Sequence, residues 1–169
     1  MIEIRRMRAE DAGMMREIFL MHGIRRPEDY YVRCWEENVA GVRVTLLAFW
    51  NGEYAGCVHL LERSGYPYFA ENGIPEINDF NVIPPLRRKG IGGALLDAIE
   101  HIALDRYGIV GIGVGLYANY GPAQRLYARR GYIPDGRGVV YRGVPVPRGA
   151  TAVVDDDLNL FFTKTAERH

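Results

Sequence analysis

Residues 76–107 constrain the fold more than any other stretch of the chain. Glu76–Val82 has strand character and is stopped by Pro84-Pro85. After Arg87-Arg88-Lys89-Gly90-Ile91-Gly92-Gly93 comes the best amphipathic helix, Gly90–Tyr107, with Ile91, Leu95, Ile99 and Ile102 on one face and Asp97, Glu100 and Asp105 off it. Ile109–Val114 follows as a strand of alternating glycine. A strand, a crossover helix and a second strand make a βαβ unit, and its strands run parallel.

The rest of the chain supplies antiparallel partners. Val44–Trp50 and Glu53–Leu61 are strand runs separated only by Asn51-Gly52. Asn-Gly there predicts a type I′ turn, because both central residues need positive φ. Ile2–Arg5 alternates like a short strand, and Leu158–Thr163 reads as the closing one. A helix from Asp11 would bury Met15, Ile18, Phe19 and His22. Another would open at Pro27, with Glu28 and Asp29 in its first turn and Tyr31, Cys34, Trp35 and Val39 as its stripe. A last helix, Pro122–Arg130, ends at Gly131, which suits a left-handed C′ position. Pro134–Pro147 is rich in both breakers and reads as a long loop or irregular hairpin. The expected class is α/β with a mixed sheet flanked by helices, and the length of 169 residues suits a single domain, 1–169.

Composition narrows the function. Lys+Arg and Asp+Glu both number 21, so no electrostatic footprint points to nucleic acid. Two cysteines, Cys34 and Cys57, make neither a disulfide framework nor a cysteine-rich zinc site. His22, His59, His101 and His169 show no metal-ligand spacing, so no metal is expected. The N-terminus lacks an apolar run after its basic residues, and no window is apolar enough for a span, which predicts a cytoplasmic protein with no membrane partner.

The chemistry concentrates at Arg87–Gly93. A helix start leaves four N–H groups unpaired and carries the positive end of the dipole. Glycines let an anion approach, two Arg and one Lys add charge, and no Ser, Thr, Asp or Asn directly precedes the helix to cap it. A phosphate or pyrophosphate site is therefore expected. It is not a Walker A loop, because Lys89 precedes Gly90 rather than a Ser or Thr. It is not a Rossmann fingerprint, because Leu95 stands where a third small residue is needed.

Arg87-Arg88-Lys89-Gly90-Ile91-Gly92 resembles the Gln/Arg-x-x-Gly-x-Gly/Ala signature of the GCN5-related N-acetyltransferase (GNAT) superfamily, with a strand ending in Val82 before it and Ala-Leu-Leu after. Pro122-Ala123-Gln124-Arg125-Leu126-Tyr127-Ala128-Arg129-Arg130-Gly131-Tyr132 resembles the family's late Ala-x-x-Leu-Tyr-x-x-x-Gly-Phe helix. The two blocks span roughly residues 76–133, about a third of the chain, in the family's order. One departure is visible: where the family often has Asn seven residues before the tyrosine, Tyr120 stands, with Asn119 one place earlier. The resemblance implies a splayed mixed sheet flanked by helices, the acyl-CoA N-acyltransferase fold. It also implies acetyl-CoA as co-substrate, with its pyrophosphate on the amides of Arg88, Lys89, Gly90, Ile91, Gly92 and Gly93 beside Arg87. The pantetheine arm would pair with the strand edge at Phe80, Asn81 and Val82.

An amine with a pKa of about 10.4 is almost wholly protonated at pH 7, so attack on a thioester benefits from a base or a water chain. The departing thiolate wants a proton. By resemblance Tyr127 is the donor, and Glu76, followed by Ile77 as in the family's histone-acetylating branch, is a base candidate. Asp79 is a second, which strand alternation puts on the opposite face from Glu76 unless the strand bulges. Packed tyrosine and solvated carboxylate are the bland readings of the same residues. Asp155-Asp156-Asp157 reads either as a solvated turn or as a cation-selecting mouth, and Tyr66, Tyr68, Phe69, Trp35 and Tyr31 as core or acceptor pocket.

The expected activity is direct acetyl transfer to a primary amine, since neither cysteine is placed beside a plausible base. A small amine or an aminoglycoside-like molecule is a better fit than a protein acceptor. The family commonly dimerises, but no segment specifies an interface. The alternatives are an acyl-CoA sensor without turnover and a phosphate-binding domain unrelated to CoA.

Overall fold

The computed structural model describes residues 1–167. Eight strands follow one hydrogen-bonded order: β1 (Ile2–Arg6), β2 (Arg43–Trp50), β3 (Glu53–Leu61), β4 (Glu76–Val82), β5 (Ile109–Gly115), β8 (Leu158–Thr165), β6 (Ile133–Tyr141) and β7 (Val144–Pro145). The β1–β2, β2–β3, β5–β8, β6–β8 and β6–β7 ladders are antiparallel, and β4–β5 pairs in parallel at Glu76↔Gly111 and Ile77↔Ile112. Helices α1 (Asp11–Met21), α2 (Tyr30–Ala40), α3 (Pro67–Glu71), α4 (Ile91–Tyr107) and α5 (Gly121–Arg129) complete the expected mixed α/β class.

Contacts divide the chain into two compact units. The first comprises Met1–Leu61 and Asn78–Ile102. Its centre is the β2–β3 hairpin, whose Asn51 (φ 50°) and Gly52 (φ 87°) form the expected turn between the paired Trp50 and Glu53. The hairpin strands are buried on both faces from Val44 to Phe49 and from Tyr54 to Leu60. Met15, Phe19, Tyr31, Cys34, Leu47, Tyr54 and Cys57 form one apolar cluster there. β3 and the end of β4 come close because residue 56 is glycine: a Cβ on it would lie 2.2 Å from the Asn81 carbonyl oxygen.

α2 begins three residues later than expected. Pro27 closes a turn by accepting the Tyr30 N–H at 3.0 Å, and Asp29 pairs with Arg33 at 2.9 Å instead of capping the helix. Its stripe is also narrower than expected, since Tyr31 and Cys34 are buried but Val39 is 68% exposed. In α4, Glu100 is buried rather than on the outer face.

The second unit comprises Glu62–Ile77 and Ala103–His169, described to residue 167. Tyr66, Phe69, Ile74, Val140 and Phe161 form its apolar cluster, with the Tyr66 and Phe161 rings stacked 3.9 Å apart. The Pro- and Gly-rich stretch expected as loop or irregular hairpin is the strand pair β6–β7. Arg142 (φ 50°) and Gly143 (φ 79°) turn between the paired Tyr141 and Val144. The breakers are absorbed where the β6–β8 register shifts between Pro134 and Val139. α3, for which no sequence expectation existed, opens with Pro67 in its first turn and buries Phe69.

Candidate functional site

In the first unit, β4 leads through a 3₁₀ turn, Pro84–Leu86, into the basic segment and α4. The Arg87 Nε donates to the Val82 carbonyl at 3.0 Å and ties the turn back to the strand. Arg88 (φ 63°) and Gly90 (φ 81°) both take the left-handed conformation. Ala94 makes the first intrahelical bond, its N–H donating to the Gly90 carbonyl at 3.0 Å. The N–H groups of Ile91, Gly92 and Gly93 precede that bond, and no side chain among the described residues caps them. Gly92 is packed against β4: a Cβ there would sit 3.1 Å from the Phe80 ring, whereas Gly93 has open space within 4 Å. The Arg88 guanidinium has no acceptor among the described residues, and the Lys89 ammonium lies 5.6 Å from the Trp50 ring centroid. The strand end, basic turn and helix start thus bring three open N–H groups, the Arg88 guanidinium and two glycines together where the sequence predicts an anion site.

Asp79 stands in β4 at φ 45°, a left-handed conformation inside the strand. Its carboxylate is nearly buried and accepts three bonds, from Arg26 at 2.7 Å, Asn81 at 2.6 Å and the Tyr30 hydroxyl at 2.6 Å. Burial opposes its ionisation, but the bonds from Arg26 and Tyr30 hold its pKa below the ordinary carboxylate range. A carboxylate so held is a weak proton acceptor. Cys57 lies 3.8 Å from the His59 Nε2, closer to a base than the sequence suggested. Burial nevertheless pushes the thiol far up, so Cys57 is no thiolate nucleophile.

His59 is fully buried, and its Nδ1 lies 2.9 Å from Thr45 Oγ1 and 3.1 Å from an Arg43 nitrogen. A guanidinium only donates, so Nδ1 is the acceptor and the proton of the neutral ring sits on Nε2. Burial pushes the pKa down to about 4; Asp79 opposes this, while Arg43 and Arg26 add to it. An unfolded histidine titrates near 6.5, so the unfolded chain binds the extra proton between about pH 6.5 and 4. Stability from the neutral ring is complete above that window and declines as pH falls through it, by roughly 3 kcal/mol. The melting temperature is expected to drop across that window; a His59→Asn variant should lack this segment of the decline. An equal decline in both proteins would refute the assignment.

In the second unit, Glu76 is buried and accepts the Ser64 hydroxyl at 3.0 Å. Tyr127 on α5 is 6% exposed, and burial pushes its pKa up to about 12. Its ring packs against Tyr132 at 5.9 Å, and its hydroxyl has no protein partner among the described residues. The three aspartates are pinned. Asp155 accepts from Tyr141 at 3.0 Å, Asp156 from Tyr117 and from Tyr120 at 2.8 Å, and Asp157 pairs with Arg142 at 3.1 Å. They clamp the chain before β8. Tyr120, at the departure from the late-helix pattern, is one arm of that clamp.

The profile of the Acetyltransferase (GNAT) family matches residues 7–132. The chain belongs to this family. GNAT folds of known structure agree with it over nearly their whole length. A protein from Desulfovibrio desulfuricans assigned to the GNAT acetyltransferases is 19% identical, with 98% of this chain and 99% of that one covered at a TM-score of 0.71. A Salmonella typhimurium protein assigned as an acetyltransferase, solved with its cofactor acetyl-CoA, is 16% identical over 99% and 95% of the two chains, at 0.70. A second Salmonella typhimurium enzyme, which modifies the N-terminal serine of ribosomal protein L7/L12, is 12% identical over 98% and 95%, at 0.71. No curated protein matches the sequence. Among the described residues no helix is long and apolar enough to cross a membrane, and no three His, Cys, Asp or Glu side chains are grouped as metal ligands.

Within this GNAT chain, what sequence reasoning missed is the set of groups around one strand carboxylate: Arg26, Tyr30 and Asn81 converging on Asp79. Arg26 and Tyr30 are 53 and 49 residues from Asp79, and no spacing rule links positions so far apart. Asn81 was expected as a cofactor contact; its side chain is committed to Asp79.

Proposed function

We propose that this protein transfers an acetyl group from acetyl-CoA to a primary amine by direct attack of the amine on the thioester. The observation that carries the reading is the start of α4, where uncapped N–H groups, Arg88 and close-packed glycine meet at the end of β4. Such a turn suits a diphosphate, because the amides and the dipole act on charge already concentrated on a few oxygens. Alternation along β4 turns the Asn81 carbonyl toward β3, which leaves the N–H groups of Phe80 and Val82 on the opposite edge for an extended amide-bearing ligand. Pantetheine carries two such amides. Arg87, Lys89, Gly90, Ile91, Gly92 and Gly93 complete the cofactor contacts in this reading.

The chemistry follows from charge. The amine nitrogen bonds to the thioester carbon, the carbonyl oxygen gains charge, and the C–S bond then breaks as the carbonyl re-forms. The sulfur leaves with the electron pair and ends as CoA thiol, while the amine nitrogen loses one proton. Tyr127 is assigned to the sulfur. With a pKa of about 12 it stays protonated at working pH and stabilises the developing thiolate as a hydrogen-bond donor. Glu76 is assigned to the amine proton in preference to Asp79, whose three donors hold it ionised. A small-molecule amine is the proposed acceptor.

Arg88→Ala tests the anchor. Arg88 is exposed and without an acceptor, so the fold should lose little. The dissociation constant for acetyl-CoA is expected to rise about tenfold, the worth of one charge-assisted contact. Unchanged affinity by calorimetry would remove the anchor from the scheme.

A further inference from the structure

Beside the β6–β7 turn, the second unit holds a cavity of about 460 Å³, within the roughly 300–1,000 Å³ of small-molecule sites. Tyr66, Tyr68, Pro67, Val144 and Pro145 give it aromatic and aliphatic walls, and Glu71 and Arg137 also line it. Tyr66 is immobilised by its stack on Phe161 and by its hydroxyl, which donates to Asp135 Oδ2 at 3.0 Å. The other oxygen of Asp135 accepts the Arg137 backbone N–H at 2.9 Å. Asp135 therefore positions the Arg137 backbone while leaving its guanidinium unpaired.

That guanidinium lies 4.0 Å from the Tyr68 ring centroid and has no carboxylate partner among the described residues. A guanidinium over a ring face keeps its N–H donors, and a planar fork of donors matches a carboxylate in two parallel bonds. Glu71 lines the same cavity and provides the opposite charge for an ammonium. The gap between the two charges is walled by rings and proline.

We propose that this cavity binds an amine that also carries a carboxylate, an amino acid with an apolar or aromatic side chain. The carboxylate sits on Arg137, and the side chain lies against Tyr66, Tyr68 and Val144. This names an acceptor class for the acetyl transfer proposed above and rests on that reading for its role in the reaction, but not for the binding itself. It sets polycationic acceptors aside, because they leave Arg137 unmatched and place like charge against it.

Phenylalanine and phenethylamine differ only by the carboxylate, so ¹⁵N-labelled protein titrated with each isolates the Arg137 contact. Phenylalanine is expected to give saturable shifts at the amides of Arg137, Gly138 and Gly143, with a dissociation constant at least tenfold below that of phenethylamine. Arg137→Ala should raise the phenylalanine constant about tenfold or more and leave phenethylamine unchanged; Arg137→Lys should recover only part, having charge without the fork. Equal constants, indifference to Arg137→Ala, or no response up to about 10 mM phenylalanine overturns the proposal. So do shifts at these amides that depend on protein concentration alone, which assign the cavity to a second copy of the chain. Acetyl-CoA is titrated separately and read at the Gly92 and Gly93 amides. Silence there sinks the acetyl-CoA reading alone, and silence at the cavity sinks this proposal alone.

Discussion

Gly93→Glu is expected to stabilise the protein and at the same time to abolish its hold on acetyl-CoA. Residue 93 is the third position of α4, and a side chain there meets nothing within 4 Å. Replacing glycine inside a helix recovers up to about 1 kcal/mol of backbone entropy, and a carboxylate in the first turn adds roughly 0.3–1 kcal/mol against the dipole. For a chain of this size the melting temperature should rise by about 2–4 °C. The same carboxylate reaches back to the N–H groups at the helix start and places negative charge where the diphosphate would lie. Affinity for CoA should fall at least about a hundredfold. Gly93→Gln, with the same bulk and no charge, should lose much less. A Gly93→Glu protein that binds CoA like the parent would show that the helix start is not the phosphate site.

Tyr127→Phe should lower kcat by about a hundredfold, the usual loss when one donor to a developing anion is removed, while the CoA dissociation constant stays nearly the same. The hydroxyl is available for this work because no protein acceptor among the described residues engages it. The ring should pack as before, because its contact with Tyr132 does not use the oxygen. A pKa pushed up to about 12 means that Tyr127 remains protonated through pH 10. The pH–rate profiles of the two proteins should therefore have the same shape, differing in height only. A high-pH limb that vanishes in Tyr127→Phe would mean that the phenol ionises in the working range and would contradict the donor role. An unchanged kcat would leave Tyr127 as a core residue.

Several elements could be read from the chain because their causes are local. β3 and β4 begin and end where expected, since Asn51-Gly52 sets the start of one and Pro84-Pro85 stops the other. The helix after Gly90 follows from its spacing of Ile91, Leu95 and Ile99, all fully buried. The open amides were legible for the same reason: capping depends on residues within one turn. β6–β7 was legible only as one of two alternatives, a loop or an irregular hairpin, because the glycines and Pro134 contradict strand propensity and pairing with β8 over a register shift is what holds β6 extended. Val39 had the right spacing for burial, but nothing in the chain before it says how wide a face α2 presents to β2.

The chain alone therefore determines the family, the turn after β4 and the positions of Tyr127 and Glu76 in its motifs. These rest on neighbours in sequence, whose steric and hydrogen-bonding rules act over a few residues. Tertiary structure decides the electrostatic state of the side chains. Asp79 is held ionised by Arg26 and Tyr30, His59 is neutral between Thr45 and Arg43, and Arg137 is left unpaired because Asp135 is engaged elsewhere. Each of these states is set by burial and by a partner's position in space, and a sequence carries neither until it has folded.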